Sequence, residues 1–245
     1  MTATATTTRR TPARPQPQKP RRSWRRRAVA LTAVVLVLAL LGGSLWLVYF
    51  SNVLVTKRVN IVGVHNLAPT QVSLAAQIPL GVPLARQHLD AIAARATTLR
   101  AIESATVTRK WPDTVTVRVV ERQPVLAVHD TDDYVIVDKF GVAFQTQSTL
   151  PSNVVLTDLS PGNAPLLSEV ATVAAALSNK LRGKVGLITA SSPDSIVLIL
   201  GSGRKVIWGS SADSGLKAEV VTALLEREPS SAIDVSSPHN PAVRA

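Results

Sequence analysis

Residues 105–125, ATVTRKWPDTVTVRVVERQPV, carry the clearest structural pattern of the chain. Apolar and polar residues alternate through Ala105–Arg109 and again through Thr114–Val120, which is the period of half-buried strands. Lys110–Asp113 lies between the two runs and contains a proline, as tight turns often do. The stretch therefore predicts two paired strands, with Val117 in the middle of the buried face.

The residues before this pair predict the rest of a small domain. A strand is expected over Val53–Val64, a short helix over Thr70–Gln77 and a second helix over Arg86–Leu99, whose apolar residues recur every three to four positions. The order β-α-α-β-β allows both helices to cover one face of a three-stranded sheet. We assign this domain to residues 51–123.

A second domain is predicted for residues 124–245. Short strands alternate with turns, and helices are expected over about Leu166–Leu181 and Gly215–Arg227, with Lys217 on the exposed side of the second helix. A short strand, Ile233–Val235, closes the pattern. The fold class is α+β, and this domain is expected to be mixed α/β with an antiparallel sheet.

An apolar run of 23 residues without a charge, Ala28–Phe50, precedes both domains. As a helix it covers about 34 Å, which exceeds the roughly 30 Å of a bilayer core. Trp46 and Tyr49 lie near its C-terminal end, where aromatic side chains prefer the headgroup level. The run predicts a single transmembrane helix at residues 28–50.

The basic excess lies in the N-terminal tail. The chain has 27 basic and 16 acidic residues, and residues 1–27 contain nine of the basic ones and no acidic one. Residues 1–27 are expected to form a disordered cytoplasmic tail, with the later domains extracytoplasmic. Membrane lipid accounts for the arginines beside the span, so no nucleic acid is expected as a partner. A cleaved signal peptide is disfavoured because the apolar run continues past Gly43.

The sequence offers no set of residues typical of catalysis or metal binding. It contains no cysteine, and its four histidines are scattered. The acidic segment His129–Asp133 lacks the spacing of a calcium loop, and Gly201–Gly203 lacks the context of a nucleotide loop. We expect no catalytic residue, no cofactor, no metal and no small-molecule substrate.

Four segments resemble a known family: Val59–Val64, Ala105–Val115, Val119–Val125 and Tyr134–Asp138. Together with the tail and the span, they are similar to the bacterial cell-division family FtsQ/DivIB. The resemblance implies that residues 51–123 form a POTRA domain and residues 124–245 a C-terminal β domain. It also implies a non-enzymatic scaffold of the divisome in the plasma membrane, enriched at the division septum.

The same resemblance implies partners and a site for them. The partners are other single-span division proteins, coiled-coil proteins of the FtsB/FtsL or DivIC type. The implied site is an edge strand at the C-terminus, where a partner strand can pair with free backbone groups. Its residues are Ile233, Asp234, Val235, Ser236 and Ser237. Pro238 and Pro241 follow and limit the length of the edge.

The remaining motif residues are interpreted as structural. They are Arg109, Trp111, Pro112, Asp113, Glu121 and Arg122. The Asp113 side chain is expected to accept from backbone N–H groups of its own turn. One member of the Glu121–Arg122 pair is expected to contact Arg109 or another strand neighbour.

Two other functions compete with a scaffold. The first is a membrane-anchored cell-wall enzyme or its regulator, which requires a convergent catalytic set that the sequence does not offer. The second is an outer-membrane assembly component that retains only a POTRA unit. The chain has no barrel-like run of alternating strands and no cysteine for a lipid anchor, which disfavours this function.

Overall fold

The computed structural model describes residues 22–227 and 231–244. Most of the predicted tail, residues 1–21, lies outside the described residues. Helix α1, Arg22–Phe50, has 29 residues and includes basic residues in front of the apolar run. Arginine is a good helix former, so the helix extends beyond the apolar segment. Its portion Trp24–Phe50 is long and apolar enough to cross a membrane, and within residues 22–227 and 231–244 it is the one helix that is.

The first folded unit is a three-stranded sheet with two helices. Its elements are β1 Arg58–Val62, α2 Pro69–Ala76, α3 Leu89–Ala96, β2 Ile102–Lys110 and β3 Thr114–Glu121. The strand order is β1-β3-β2, with β3 parallel to β1 and antiparallel to β2. The β-α-α-β-β order expected from the sequence is confirmed.

The core of this unit lies between the sheet and α2 and α3. Val117 and its alternate neighbours on β3 are buried, and Val72 and Ile92 cover them from the helices. The first strand begins at Arg58, later than the predicted Val53. Residues 52–54 instead form a 3₁₀ turn, capped by the Ser51 side chain, which accepts from the Val53 N–H.

The second unit is a nine-stranded sheet with helices. The strands are β4 Leu126–Asp130, β5 Asp133–Val137, β6 Ala143–Gln147, β7 Val155–Thr157, β8 Val185–Ala190, β9 Ile196–Leu200, β10 Lys205–Gly209, β11 Ala232–Asp234 and β12 Ala242–Arg244. The helices are α4 Ala164–Ala176, α5 Asn179–Arg182 and α6 Ser214–Arg227. The strand order is β12-β11-β10-β9-β8-β7-β4-β5-β6.

This sheet is mixed. Most neighbouring pairs are antiparallel, as expected, but β4/β7, β7/β8 and β10/β11 are parallel. Two strands of three residues each, β7 and β12, were not predicted from the sequence. The α+β class and the mixed second domain are confirmed. The parallel pairs β7/β8 and β10/β11 are connected through helices, whereas β4 and β7 are connected through β5 and β6.

The predicted helix Leu166–Leu181 is two helices. Helix α4 ends at Ala176, and Leu177 is extended. The Ser178 side chain then accepts from the Leu181 N–H and caps α5. Helices α4 and α6 contribute to one continuous apolar core with the sheet, in which Trp208 is fully buried.

Candidate functional site

Arg109 fastens the second strand of the POTRA-like unit to a loop. Its guanidinium donates to the carbonyl oxygens of Leu84 at 2.7 Å and Gln87 at 2.8 Å. A guanidinium presents its donors as a fork, which suits two successive carbonyl groups. Arg109 therefore holds the 3₁₀ turn Leu84–Arg86 against the end of β2. Of the two partners expected for the Glu121–Arg122 pair, Arg109 or another strand neighbour, Arg109 is not the one.

Glu121 closes the other end of the sheet. Its buried carboxylate accepts from the backbone N–H groups of His65, Asn66 and Leu67 at 2.8–3.1 Å, and from the Asn66 side chain at 3.2 Å. Burial alone raises the pKa of Glu121, but these backbone and side-chain donors outweigh it and hold the pKa below its usual value. The glutamate thereby orders the turn between β1 and α2.

Arg122 links the two folded units. Its guanidinium donates to the carboxylate of Asp138, which is fully buried, and to the Arg100 carbonyl at 3.0 Å. The other Asp138 oxygen accepts from the N–H groups of Phe140 and Val142, each at 2.9 Å. We did not predict this role of Asp138. An Asp followed three residues later by Gly141 is a turn signal that could have indicated it.

The turn Trp111–Asp113 is held from outside. The Asp113 carboxylate accepts from the Arg58 guanidinium at 2.6 Å and from the Thr114 hydroxyl at 2.9 Å, not from the backbone of its own turn. The Arg58 and Thr114 hydrogen bonds lower the pKa of Asp113. The Asp113 carbonyl accepts from the backbone N–H groups of Lys57 and Arg58. Arg109, Asp113, Glu121 and Arg122 each bond to another segment of the chain. The side chain of Trp111 is 49% exposed.

The strand proposed as the partner-binding edge is not an edge. Residues Ala232–Asp234 form β11, which pairs in parallel with β10 on one side and antiparallel with β12 on the other. Ile233 and Val235 are buried in the core of the second unit. The expectation failed because Pro238 and Pro241 do not end the strand pattern. They lie in a turn that brings the chain back along β11.

The turn after β11 places Ser236 and Ser237 on the surface. The Asp234 carboxylate accepts from the backbone N–H of Ser236 at 3.0 Å and from its hydroxyl at 2.7 Å. Side-chain-to-backbone bonds of this kind mimic a turn of the main chain. The chain thus leaves the core after Val235, and two of the five predicted site residues remain accessible.

The accessible edge at this end of the sheet is β12. All three of its side chains are exposed, and no further strand lies beside it in the described part of the chain. The Ser231 N–H donates to the Arg244 carbonyl at 3.0 Å, so the backbone polar groups of Arg244 face β11. Peptide groups alternate in direction along a strand, so those of Val243 face the open side.

Lys217, expected on the surface, is buried. Its ammonium group donates to the Ser210 carbonyl at 2.8 Å. Burial lowers the pKa of Lys217, and the nearby Asp213 partly opposes this. The buried positions of α6 are Ser214, Lys217, Ala218 and Val221, so the face that packs on the core includes the lysine.

Among residues 22–227 and 231–244, no group of three or more His, Asp or Glu side chains is placed to hold a metal ion. The charged side chains of Arg109, Glu121, Arg122 and Asp138 form hydrogen bonds mainly with backbone groups of other segments and with one another.

Comparison with known proteins identifies the class. Residues 55–122 match the model of the POTRA domain, FtsQ-type, and residues 126–236 match that of the cell division protein FtsQ/DivIB, C-terminal. The chain belongs to the FtsQ/DivIB family of cell-division proteins.

Curated relatives share this family and much of the length. The cell division protein FtsQ of Streptomyces bingchenggensis is 38% identical over 231 residues, which cover 89% of this chain and 86% of that protein. FtsQ of Streptomyces venezuelae is 36% identical, covering 87% and 83% respectively. The major extracytoplasmic domain of DivIB from Geobacillus stearothermophilus aligns with 44% of this chain and 97% of that one, at 16% identity and a TM-score of 0.34.

Proposed function

We propose that this protein is a non-enzymatic scaffold of the divisome that recruits and links other division proteins during septum formation. The observation that carries the proposal is the succession of one membrane anchor, a POTRA domain of the FtsQ type and an FtsQ/DivIB C-terminal domain in a single chain. The named relatives are cell-division proteins and give no support to a cell-wall enzyme or its regulator.

The proposed location is the plasma membrane at the division septum, with the N-terminus cytoplasmic. Support for the orientation comes from the basic residues in front of α1, of which Arg25, Arg26 and Arg27 immediately precede the apolar run. Residues 51–123 and 124–245 then work outside the cytoplasm as two domains. A reporter that is active only in the cytoplasm should function at the N-terminus and fail at the C-terminus.

The proposed partners are single-span division proteins of the FtsB/FtsL or DivIC type, captured at the C-terminal end of the large sheet. The site proposed from the sequence, Ile233–Ser237, is retained in part. Ser236 and Ser237 lie at the surface, while β12 presents the free edge. An edge strand offers unpaired N–H and C=O groups to which an extended partner segment can add.

A proline at Val243 tests this edge. Val243 is 40% exposed and its N–H faces outward, so Val243→Pro removes a donor from the edge while sparing the pairing with β11. We expect the full-length variant to fold and to lose co-purification with the partner. Deleting residues 233–245 is not a suitable test, because it removes the buried Ile233 and Val235.

The opposite edge of the same sheet supplies the control. Thr146 lies exposed in β6, the last strand at the other side. Thr146→Pro should leave partner binding unchanged if β12 is the site. Normal binding by a folded Val243→Pro variant, with loss in Thr146→Pro, would reassign the partner to β6.

A further inference from the structure

The POTRA domain meets the end of the membrane anchor through a short turn. The Arg86 guanidinium lies 5.9 Å from the centre of the Phe50 ring, in the geometry of a cation–π contact. Phe50 is the last residue of both α1 and the apolar run. The 3₁₀ turn Leu84–Arg86 is therefore at the level where the hydrocarbon core of the bilayer ends.

A loop of the domain is bound to the chain as it leaves the membrane. The Thr56 N–H donates to the Val82 carbonyl and the Gly81 N–H donates to the Thr56 carbonyl, both at 2.9 Å. Leu80 extends from this loop and is 63% exposed, and Val53 is 62% exposed. Val53 thus faces solvent just after the anchor, and Leu80 faces solvent on the loop that is bonded to Thr56.

The hairpin turn of the sheet reaches the same end of the domain. Arg109 is bonded to the Leu84 carbonyl, and the Asp113 carbonyl accepts from the N–H groups of Lys57 and Arg58. Trp111 lies between these two attachments with half of its surface exposed. Tryptophan prefers the water–hydrocarbon boundary of a bilayer, because its ring is apolar and its N–H is polar.

These three segments carry a strong positive charge. Residues 51–58, 79–87 and 109–114 include five basic side chains: Lys57, Arg58, Arg86, Arg109 and Lys110. Their one acidic residue, Asp113, is paired with Arg58. A groove of about 520 Å³ opens beside them, with Arg86 and Arg95 in its walls and no carboxylate among its lining residues. The surface is complementary to an anion layer.

We propose that this membrane-proximal surface of the POTRA domain binds the anionic phospholipid headgroups of the leaflet from which α1 emerges. Val53, Leu80 and Trp111 insert into the headgroup layer, which is about 5–7 Å thick on each side of a bilayer. Lys57, Arg86 and Lys110 pair with lipid phosphates, and Arg86 admits a headgroup into the groove. This contact fixes the tilt of the domain and hence the direction in which the larger sheet extends.

The absence of native cysteine allows a clean test with the full-length protein. A fluorophore is attached to Leu80→Cys, and the protein is reconstituted into vesicles that contain a lipid with a quencher on its headgroup. The vesicles consist of phosphatidylcholine alone or of phosphatidylcholine with phosphatidylglycerol. Val120→Cys is the matched control, because Val120 is 49% exposed and lies at the far end of β3 from the Trp111 turn.

We expect strong quenching at residue 80, a further increase with phosphatidylglycerol, and weak quenching at residue 120 in both vesicles. Each Lys or Arg near an anionic bilayer surface strengthens binding to that surface about fivefold relative to a neutral bilayer. Replacing Lys57, Arg86 and Lys110 together with Gln should therefore abolish the phosphatidylglycerol-dependent increase. The same replacement of the exposed Arg100, Lys184 and Lys205 should preserve it.

Three results overturn the proposal. Equal quenching at residues 80 and 120 shows that the domain does not lie on the bilayer. Quenching at residue 80 that is unaffected by phosphatidylglycerol, or an increase that survives removal of Lys57, Arg86 and Lys110, shows that anionic lipid is not what the surface binds. The exposed Leu80 and Trp111 then belong to a protein interface.

Discussion

The two folded units differ in the size of their apolar cores and in their use of charged side chains to hold distant segments together. The POTRA domain buries ten apolar residues in its main cluster, whereas the described part of the C-terminal domain buries 25. A small core stabilises less because it removes less apolar surface from water. In the POTRA domain the ends of the sheet are fixed by Glu121 and Arg109, which bond to backbone groups of distant segments. The comparison shows that the specific polar motif of the sequence belongs to the unit with the smaller core.

The strongest test of this comparison is a charge in the small core. Val117 is fully buried in the middle of β3, and Val117→Asp places an unpaired carboxylate there. We expect a loss of more than about 4 kcal/mol, enough to unfold a domain of ordinary stability. Hydrogen exchange on the full chain in detergent micelles should show loss of protection over residues 58–121 with protection retained in β8–β10. Val120→Asp, at an exposed position of the same strand, should leave the hydrogen-exchange protection of both regions unchanged.

Glu121→Gln tests the hydrogen bonds between Glu121 and the backbone of residues 65–67. In the native protein the backbone N–H groups of residues 65–67 donate to a carboxylate, whereas in the variant one of the two oxygens is replaced by an amide N–H₂, which cannot accept. We therefore expect the free energy of unfolding of the POTRA domain to fall by about 2–3 kcal/mol at neutral pH. Glu103→Gln on the neighbouring strand is the matched control, since Glu103 makes only a partly exposed ion pair with Lys139 at 3.2 Å. Equal effects of the two substitutions would remove the special role given to Glu121.

The same glutamate predicts a direction for the effect of pH. Its pKa in the folded protein is lower than the ordinary value of 4.5, so the unfolded chain binds its proton first as the pH falls. The stabilisation is therefore complete above about pH 4.5 and is lost as the pH drops through the lower, folded pKa. Melting temperatures measured from pH 7 to pH 3 should fall more steeply in the native protein than in Glu121→Gln.

Lys217→Met tests whether a buried charged side chain matters as much in the C-terminal domain as Glu121 does in the POTRA domain. Lys217 is buried in the large domain but makes one hydrogen bond, to the Ser210 carbonyl, and it loses hydration. Replacing a buried charge by an apolar side chain of similar volume is often close to neutral, so we expect a change within about 1 kcal/mol by chemical denaturation. A loss as large as that of Glu121→Gln would show that Lys217 stabilises the large domain as strongly as Glu121 stabilises the POTRA domain.

Arg58→Ala should have the smallest effect. The Arg58 side chain is 69% exposed where it pairs with Asp113, and exposed ion pairs add little to stability. We expect unchanged hydrogen exchange at β1 and β3, because the backbone bonds to the Asp113 carbonyl remain. Faster exchange at β1 would show that the side-chain pair, and not the backbone, holds the hairpin turn.

The sequence predicted the POTRA domain more accurately than the C-terminal one. Alternation in Thr114–Val120 is a local signal, and the structure has β3 there with its valines buried. In the large sheet, β7 and β12 have three residues each, too short for a period to appear in the sequence. The prediction of an edge strand at Ile233–Val235 was the least accurate. Whether that strand is an edge depends on whether residues 242–244 pair with it, and the local sequence does not show this.

By itself, the sequence determined the membrane anchor, the order of elements in the first domain, the α+β class and the family, because each depends on a local period, a run of apolar residues or a motif. Only the tertiary structure decided which groups meet: Glu121 with the backbone of residues 65–67, Arg122 with Asp138, and β12 with β11. Hydrogen-bonding capacity is a property of each residue, but the partner that satisfies it is set by packing between segments far apart in the chain. For the same reason, Lys217 is buried although its sequence neighbourhood indicates an exposed charge.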